Sequence, residues 1–235
     1  KREILPRLNF LSNNEILNLY SQTDFGLFSS YLVKLFMHIK SFEYRIMQIN
    51  NDKTITAYQD FSRYRIFGLV GDTNETVILN HINVAIDGQL EEWFDKLTNA
   101  LKDYMKGEVK QSIESIASIS LNDWIMNVPT YIALITLYIV FTNDINECFS
   151  NLQNNSRVFA NYENVLMKKI SELCHSLMTP LTNTEINKIS TILSLFNYQL
   201  ELTRSFSEDS QAVKKKWLDQ IKVQYNLKTN QIEID

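Results

Sequence analysis

The chain has 235 residues and a mass of 27.5 kDa, enough for one large domain or two small ones with a real core. Its 45 % hydrophobic and 21 % charged residues exclude wholesale disorder and collagen-like or mucin-like architectures, and a net charge of −4 gives no cationic surplus for gripping a phosphate backbone, so no nucleic-acid partner is expected. Five glycines and three prolines, against about 12 % of an average chain, leave few tight turns, which argues against an all-β sandwich or barrel and against any site built on a glycine-rich phosphate loop.

Lys1 to Pro6 has neither a starting methionine nor a secretory apolar stretch. The tail Gln231 to Asp235 stops within an alternating pattern, so both ends read as cut from a longer polypeptide. Ser12-Asn13-Asn14-Glu15 is a capping box that opens a short helix through Ile16, Leu17, Leu19 and Tyr20. Asp24 to Gly26 breaks it, and Leu27, Tyr31, Leu32, Leu35, Phe36 and Ile39 then recur at helical spacing.

From Phe42 the period shortens. Asn50-Asn51-Asp52 is a turn cluster, followed by Thr54 to Tyr58; Arg63 to Val70 and Thr76 to Ile86 are also rich in β-branched and aromatic residues, which predicts a small antiparallel hairpin or three-stranded patch. Asp87 is a candidate N-cap for a long helix carrying Leu90, Trp93, Phe94, Leu97, Leu101, Tyr104 and Met105 and running towards Ile116. Ser120 to Asp123 caps another, before Trp124 and Ile125.

Pro129 permits a helix start, because its missing N–H has no intrahelical partner at the first position. The helix that follows is apolar nearly all round from Tyr131 to Phe141 and extends to Leu152, so it is predicted to be the most buried element. The apolar run is eleven residues long, short of the roughly 20 that cross a bilayer, and no membrane partner is expected. Asn154 to Ser156 punctuates; the helix from Phe159 to Leu177 ends before Pro180. Thr182 to Glu185 is a second capping box, opening a helix through Thr203, and a short helix at Trp217 and Leu218 precedes an alternating strand at Ile221, Val223 and Tyr225.

These elements predict a mainly α chain, an elongated antiparallel helical bundle with a small β-hairpin insertion: N-terminal helices over 1–41, the β-rich insertion over 42–86, the bundle over 87–220 and the start of a strand over 221–235.

Residues that carry chemistry are scarce. The close pair Gly68 and Gly71 lacks a following lysine and reads as a loop turn. His38, His81 and His175 lie on separate elements with no partner four residues on, so no metal site is expected. Cys174 and His175 are adjacent and point about 100° apart on a helix, so they read as a core thiol beside a surface imidazole, and both Cys148 and Cys174 as reduced, buried thiols. Glu91-Glu92 and Glu208-Asp209 suit exposed helix ends, and Lys214 to Lys216 a solvated face. Trp93, Trp124 and Trp217 each sit near a cap or an acidic residue, as core tryptophans do when the indole N–H needs a polar partner.

One stretch is specific. Leu5-Pro6-Arg7-Leu8-Asn9-Phe10-Leu11-Ser12-Asn13-Asn14-Glu15-Ile16-Leu17 resembles the "FPRFYFLSNDELL" string of dynein heavy chains, in the linker domain that precedes the AAA+ ring. Glu91-Glu92-Trp93-Phe94, Asp123-Trp124-Ile125 with the following apolar helix, Leu202-Thr203-Arg204-Ser205, and Lys216-Trp217-Leu218-Asp219-Gln220-Ile221-Lys222-Val223-Gln224-Tyr225 resemble later landmarks of the same domain, in the same order. Leu5, Leu8 and Asn9 replace aromatics of the family pattern, and the usual late tryptophan is missing near Phe141-Thr142.

The resemblance implies the carboxy-terminal half of a linker in a cytoplasmic-type dynein, with 221–235 leading towards the ring. Its family-signature residues are Pro6, Arg7, Phe10, Trp93, Trp124, Arg204, Trp217 and Tyr225, all in structural roles. It implies a non-catalytic lever that bends and straightens over the ring during ATP turnover and so drives minus-end-directed movement. No cofactor would bind in this piece; ATP and Mg would bind in the parent ring. The implied partners are that ring, the microtubule through the parent motor, and accessory chains through an upstream tail, in the cytoplasm and on the cytoskeleton. The alternative reading is a helical interaction scaffold without a motor.

Overall fold

The computed structural model describes residues 2–3, 5–22, 24–36, 39–47, 63–71, 74–79, 84–86, 90–152, 156–206, 215, 217–226, 229 and 231–234. Among these the chain is mostly helical, with seven α-helices and two antiparallel sheets. It divides into two compact units, Lys1–Tyr104 and Met105–Asp235. The expected turn at 50–52, the segment 54–58 and the Asp87 cap lie outside the described residues.

The first unit begins with a 3₁₀ turn, Pro6–Phe10, then α1 (Asn13–Ser21) and α2 (Phe25–Leu35). The Ser12 capping box forms as predicted: the Ser12 N–H donates to Glu15 Oε2 at 2.8 Å, and the Glu15 N–H donates to Ser12 Oγ at 3.2 Å. Asp24, read as part of a break, caps α2 by accepting from the N–H groups of Gly26 and Leu27. The apolar face of α2 differs from expectation. Phe25, Phe28, Leu35 and Phe36 are buried, whereas Leu27 is exposed and Ile39 belongs to a strand. The reason is tertiary: Phe25 stacks on Tyr64 at 4.3 Å and Phe36 meets Phe42 at 5.7 Å, so the sheet selects which side of α2 turns inward.

That sheet is larger than a hairpin. β1 (Ile39–Ile46), β2 (Tyr64–Gly71), β3 (Thr76–Ile78) and β4 (Val84–Ala85) are all antiparallel, with β2 central: β1 runs along one edge of it, and β3 and β4 share the other. Phe42, Ile66, Leu69, Val77 and Val84 are buried. Gly68 and Gly71 are strand residues, not a loop turn. A Cβ on Gly68 would lie 2.9 Å from the Val77 carbonyl oxygen and 3.1 Å from Glu43 Cβ, so glycine here permits close strand approach. The turn into β3 uses Asn74 at φ 61°, a left-handed conformation that asparagine tolerates. α3 (Leu90–Ser115) contributes Trp93, Phe94 and Leu97 to this core from its first half.

The second unit holds the rest of α3, then α4 (Leu121–Asn127), α5 (Thr130–Asn151), α6 (Val158–Ser176), α7 (Asn183–Arg204) and a hairpin of β5 (Val223–Asn226) and β6 (Gln231–Ile234). Ser120 and Thr182 cap α4 and α7 as predicted, while Pro129 occupies the cap of α5, one position before the helix proper. Glu163 pairs with Arg204, and Lys169 lies over Phe196. Positions rising along α6 thus meet positions falling along α7, and the two helices are antiparallel. The unfinished strand of the sequence reading is a paired one: Val223, Gln224, Tyr225 and Asn226 face Ile234, Glu233, Ile232 and Gln231.

α5 is packed on two sides. Ala133, Leu137, Phe141, Ile145 and Cys148 join α4, α6, α7, Phe206 and Trp217 in one cluster. Ile132 and Ile139 join Val109 of α3 in another, against which Tyr131, Ile135, Val223, Tyr225 and Ile232 pack. This explains an apolar surface nearly all round the helix. Because the helix continues past Phe141, its 22 residues are long and apolar enough to cross a membrane by length and composition. Half of its most apolar stretch is buried in the protein, with Thr136 and Thr142 among nine buried residues, as befits a core helix.

Candidate functional site

Among the described residues no group of His, Cys, Asp and Glu is placed to hold a metal ion. His38, His81, Glu208, Asp209, Lys214 and Lys216 lie outside the described residues. Cys174 and His175 are both exposed on α6. The expectation of a buried Cys174 is therefore corrected: Phe159, Leu166 and Leu173 form the inward line of α6 at seven-residue intervals, and position 174 turns about 100° away. Glu91 is half-buried and accepts a hydrogen bond from Tyr20 Oη at 2.8 Å, so it is a packing contact of α1 on α3 and not an exposed helix end. Burial, then the Glu91 acceptor, raise the Tyr20 hydroxyl above its usual range. An open depression lined by Arg2, Glu3, Asn13 and Ile16 has no enclosing wall for a small molecule.

The signature residues do not converge on one point. Pro6 and Phe10 are exposed on the 3₁₀ turn, Phe10 by 73 %. Arg7 Nη1 donates to the Leu35 carbonyl at 2.9 Å, and its guanidinium lies 4.9 Å over the Phe36 ring, fastening the N-terminal segment to the end of α2. Trp93 is core. Trp124 is fully buried and donates Nε1–H to the Ser112 carbonyl at 3.2 Å, locking α4 to the end of α3. Arg204 is an exposed partner of Glu163 at 2.8 Å. Trp217 is buried, and Tyr225 rests on the second cluster of α5. Arg7, Trp124, Arg204, Trp217 and Tyr225 each join one element to another.

The most elaborate constellation surrounds the second half of α5. Phe141 lies between Tyr162 of α6, ring centres 6.2 Å apart, and Trp217, 6.1 Å away. The polar ends of both rings bond back to α5: Tyr162 Oη donates to Asp144 Oδ2 at 2.9 Å, and Trp217 Nε1 donates to Asn146 Oδ1 at 2.9 Å. Burial raises the Asp144 carboxyl, opposed by the Tyr162 hydrogen bond. Burial also raises the Tyr162 hydroxyl, and it pushes the Cys148 thiol up to about 11, with Asp144 and Glu147 adding to the effect. A tyrosine and a thiol held in their neutral forms beside a buried carboxyl are poor nucleophiles. The arrangement joins α5, α6 and the segment after α7. Sequence reasoning placed Trp217 in the core and Tyr162 on the apolar stripe of its helix but missed their pairing with Asn146 and Asp144, because a pairing 18 or 71 positions apart leaves no local pattern.

Residues 1–112 match the family model described as dynein heavy chain, N-terminal region 2. The chain is similar to the ciliary dynein beta chain of Tripneustes gratilla, 21 % identical over 83 % of this chain and 4 % of that protein. It is similar to human dynein axonemal heavy chain 6, 23 % identical over 88 % of this chain and 5 % of that protein. It is also similar to human dynein axonemal heavy chain 10, 20 % identical over all of this chain and 5 % of that protein. The chain thus spans about a twentieth of the length of the curated relatives it matches. The names of these relatives are ciliary or axonemal, not the cytoplasmic type that the sequence suggests. The chain is therefore similar to dynein heavy chains, in residues 1–112 to their N-terminal region 2 and along most of its length to the ciliary and axonemal relatives.

Proposed function

We propose that this chain is a mechanical section of a dynein motor: the carboxy-terminal part of the linker, a non-catalytic lever that changes conformation over the AAA+ ring as the ring turns over ATP. The observation that carries the reading is the family relationship, which runs along the chain from the N-terminal region 2 match through relatives aligned over most of its length. The physical character of the residues supports it. A lever must resist bending, and α5 is braced on two faces, by α6 and α7 on one and by the β5–β6 hairpin on the other. Nucleotide and Mg would bind in the ring of the parent chain, which would be the partner of this section, and the microtubule would be engaged through the whole motor. The location is cytoskeletal, and the names of the relatives favour cilia and the axoneme over the general cytoplasm.

The test is made in the parent heavy chain. Trp217→Ala should loosen the join between α5 and the segment leading onward, lowering microtubule gliding velocity several-fold while ATP hydrolysis persists. Unchanged displacement per ATP hydrolysed would overturn the lever reading.

A further inference from the structure

Glu163 and Met167 stand four residues apart on α6 and so share a face of that helix. Arg204, in the last turn of α7, reaches across to both: its Nε donates to Glu163 Oε1 at 2.8 Å, and its Nη2 donates to the Met167 sulfur at 3.8 Å. Glu163 already balances the charge and fixes the plane of the guanidinium. The second contact is the unusual one, a charged donor held against a thioether, which is a weak acceptor. No other methionine among the described residues has its sulfur in a hydrogen bond to a cation. Met167 is 38 % exposed, so the side chain is open to a solute oxidant as a core methionine is not.

We propose that Met167 is a site of reversible oxidation whose sulfoxide is received by Arg204, so that oxidation tightens the join of α6 to α7. The oxidant is a peroxide. A sulfur lone pair attacks one peroxide oxygen, the S–O bond forms as the O–O bond breaks, and the departing oxygen takes up a proton and leaves as water or an alcohol. The sulfur is oxidised by one electron pair and the peroxide reduced by the same pair. The product carries an oxygen acceptor where the thioether offered only sulfur. Lying one bond nearer the guanidinium than the sulfur does, that oxygen can accept from Nη2 at about 2.7–2.9 Å, the charge-assisted range, with both helices where they are. In a core the same change would bury an unpaired polar group and disrupt packing; at an exposed position facing a guanidinium it supplies the acceptor that the thioether lacks. The inference is independent of the lever reading, since it rests on α6 and α7 alone.

The test uses the 235-residue chain carrying Met47→Leu, Met178→Leu and Cys174→Ser, which remove the other exposed sulfurs among the described residues. It is treated with hydrogen peroxide and followed by peptide mass spectrometry. One oxygen should be added at Met167 in the folded protein. The oxidised chain should unfold at a higher urea concentration than the reduced one, and backbone amides in the last turn of α7 should exchange about three-fold more slowly. Methionine sulfoxide reductases acting on both epimers should reverse the shift. Met167→Leu should show no shift, and Arg204→Gln should remove the gain while Met167 is still oxidised. Failure of Met167 to oxidise in the folded chain, an unchanged or lower urea midpoint after oxidation, or the same gain in Arg204→Gln would overturn the proposal.

Discussion

The indole N–H of Trp217 donates to Asn146 Oδ1 at 2.9 Å, tying the segment after α7 to α5 across 71 positions of sequence. The ring also meets Phe141 at 6.1 Å, Phe206 at 5.9 Å and Phe149 at 6.4 Å, so one side chain serves both as packing and as a polar fastening. Trp217→Ala is expected to cost about 3–5 kcal/mol in urea denaturation. Trp217→Phe keeps most of the packing and loses the N–H, so the loss of the hydrogen bond should add about 1 kcal/mol to the effect of the smaller ring. A double-mutant cycle with Asn146→Ala isolates that part; no coupling would mean that packing alone fixes the segment.

Glu15 is held well below the usual carboxylate range, at about 2, first by the Lys34 ammonium and then by the Ser12 N–H and hydroxyl. A depressed folded-state pKa means that the contribution to stability is fully present above the unfolded value near 4.5 and is lost as pH falls towards about 2. In acid titration followed by circular dichroism, Lys34→Met should flatten the loss of melting temperature over that window. Because these groups are solvent-exposed, added salt should shrink the difference between the two proteins.

Two glycines should respond oppositely to alanine. At Gly68 the new Cβ would come within 2.9 Å of the Val77 backbone oxygen, forcing β3 away from β2 at a cost of about 1–3 kcal/mol. At Gly107, inside α3, nothing lies within 4 Å, and Gly107→Ala should stabilise by about 0.5–1 kcal/mol. Denaturant midpoints of the two variants decide it; midpoints shifted in the same direction would contradict the strand packing described.

Of the two cysteines, Cys174 is exposed, whereas Cys148 is buried with its thiol pushed up to about 11. A disulfide reagent near neutral pH should modify one thiol rapidly in the native chain and the second only on unfolding. Cys174→Ser should abolish the rapid phase. Two rapid equivalents would show that α5 opens readily at Cys148.

Ser120→Ala removes the oxygen that accepts the Asp123 N–H at 3.2 Å, with an expected cost of about 1 kcal/mol. The effect should also appear as faster hydrogen exchange at the start of α4, where Trp124 enters the core.

What could be read from the sequence was whatever a few neighbouring residues encode. Ser12 with Glu15 and Thr182 with Glu185 form both boxes because their partners are three residues away. The burial of Trp93, Trp124 and Trp217 and the apolar circumference of α5 follow from residue chemistry alone. The tertiary structure decided what depends on distant partners. It made Ile39 a strand residue by pairing it with Gly71, and turned Phe28 inward and Leu27 outward on α2. It placed Cys174 outside the core and set Arg45 against Arg65 through a register shift between Glu43 and Tyr44. It also gave the strand at Val223 a partner in the chain's own tail and a seat on α5. Capping is settled within one helical turn, whereas register, burial and buried polar pairing are settled only when the chain closes long loops and pays their entropy through contacts that no short window contains.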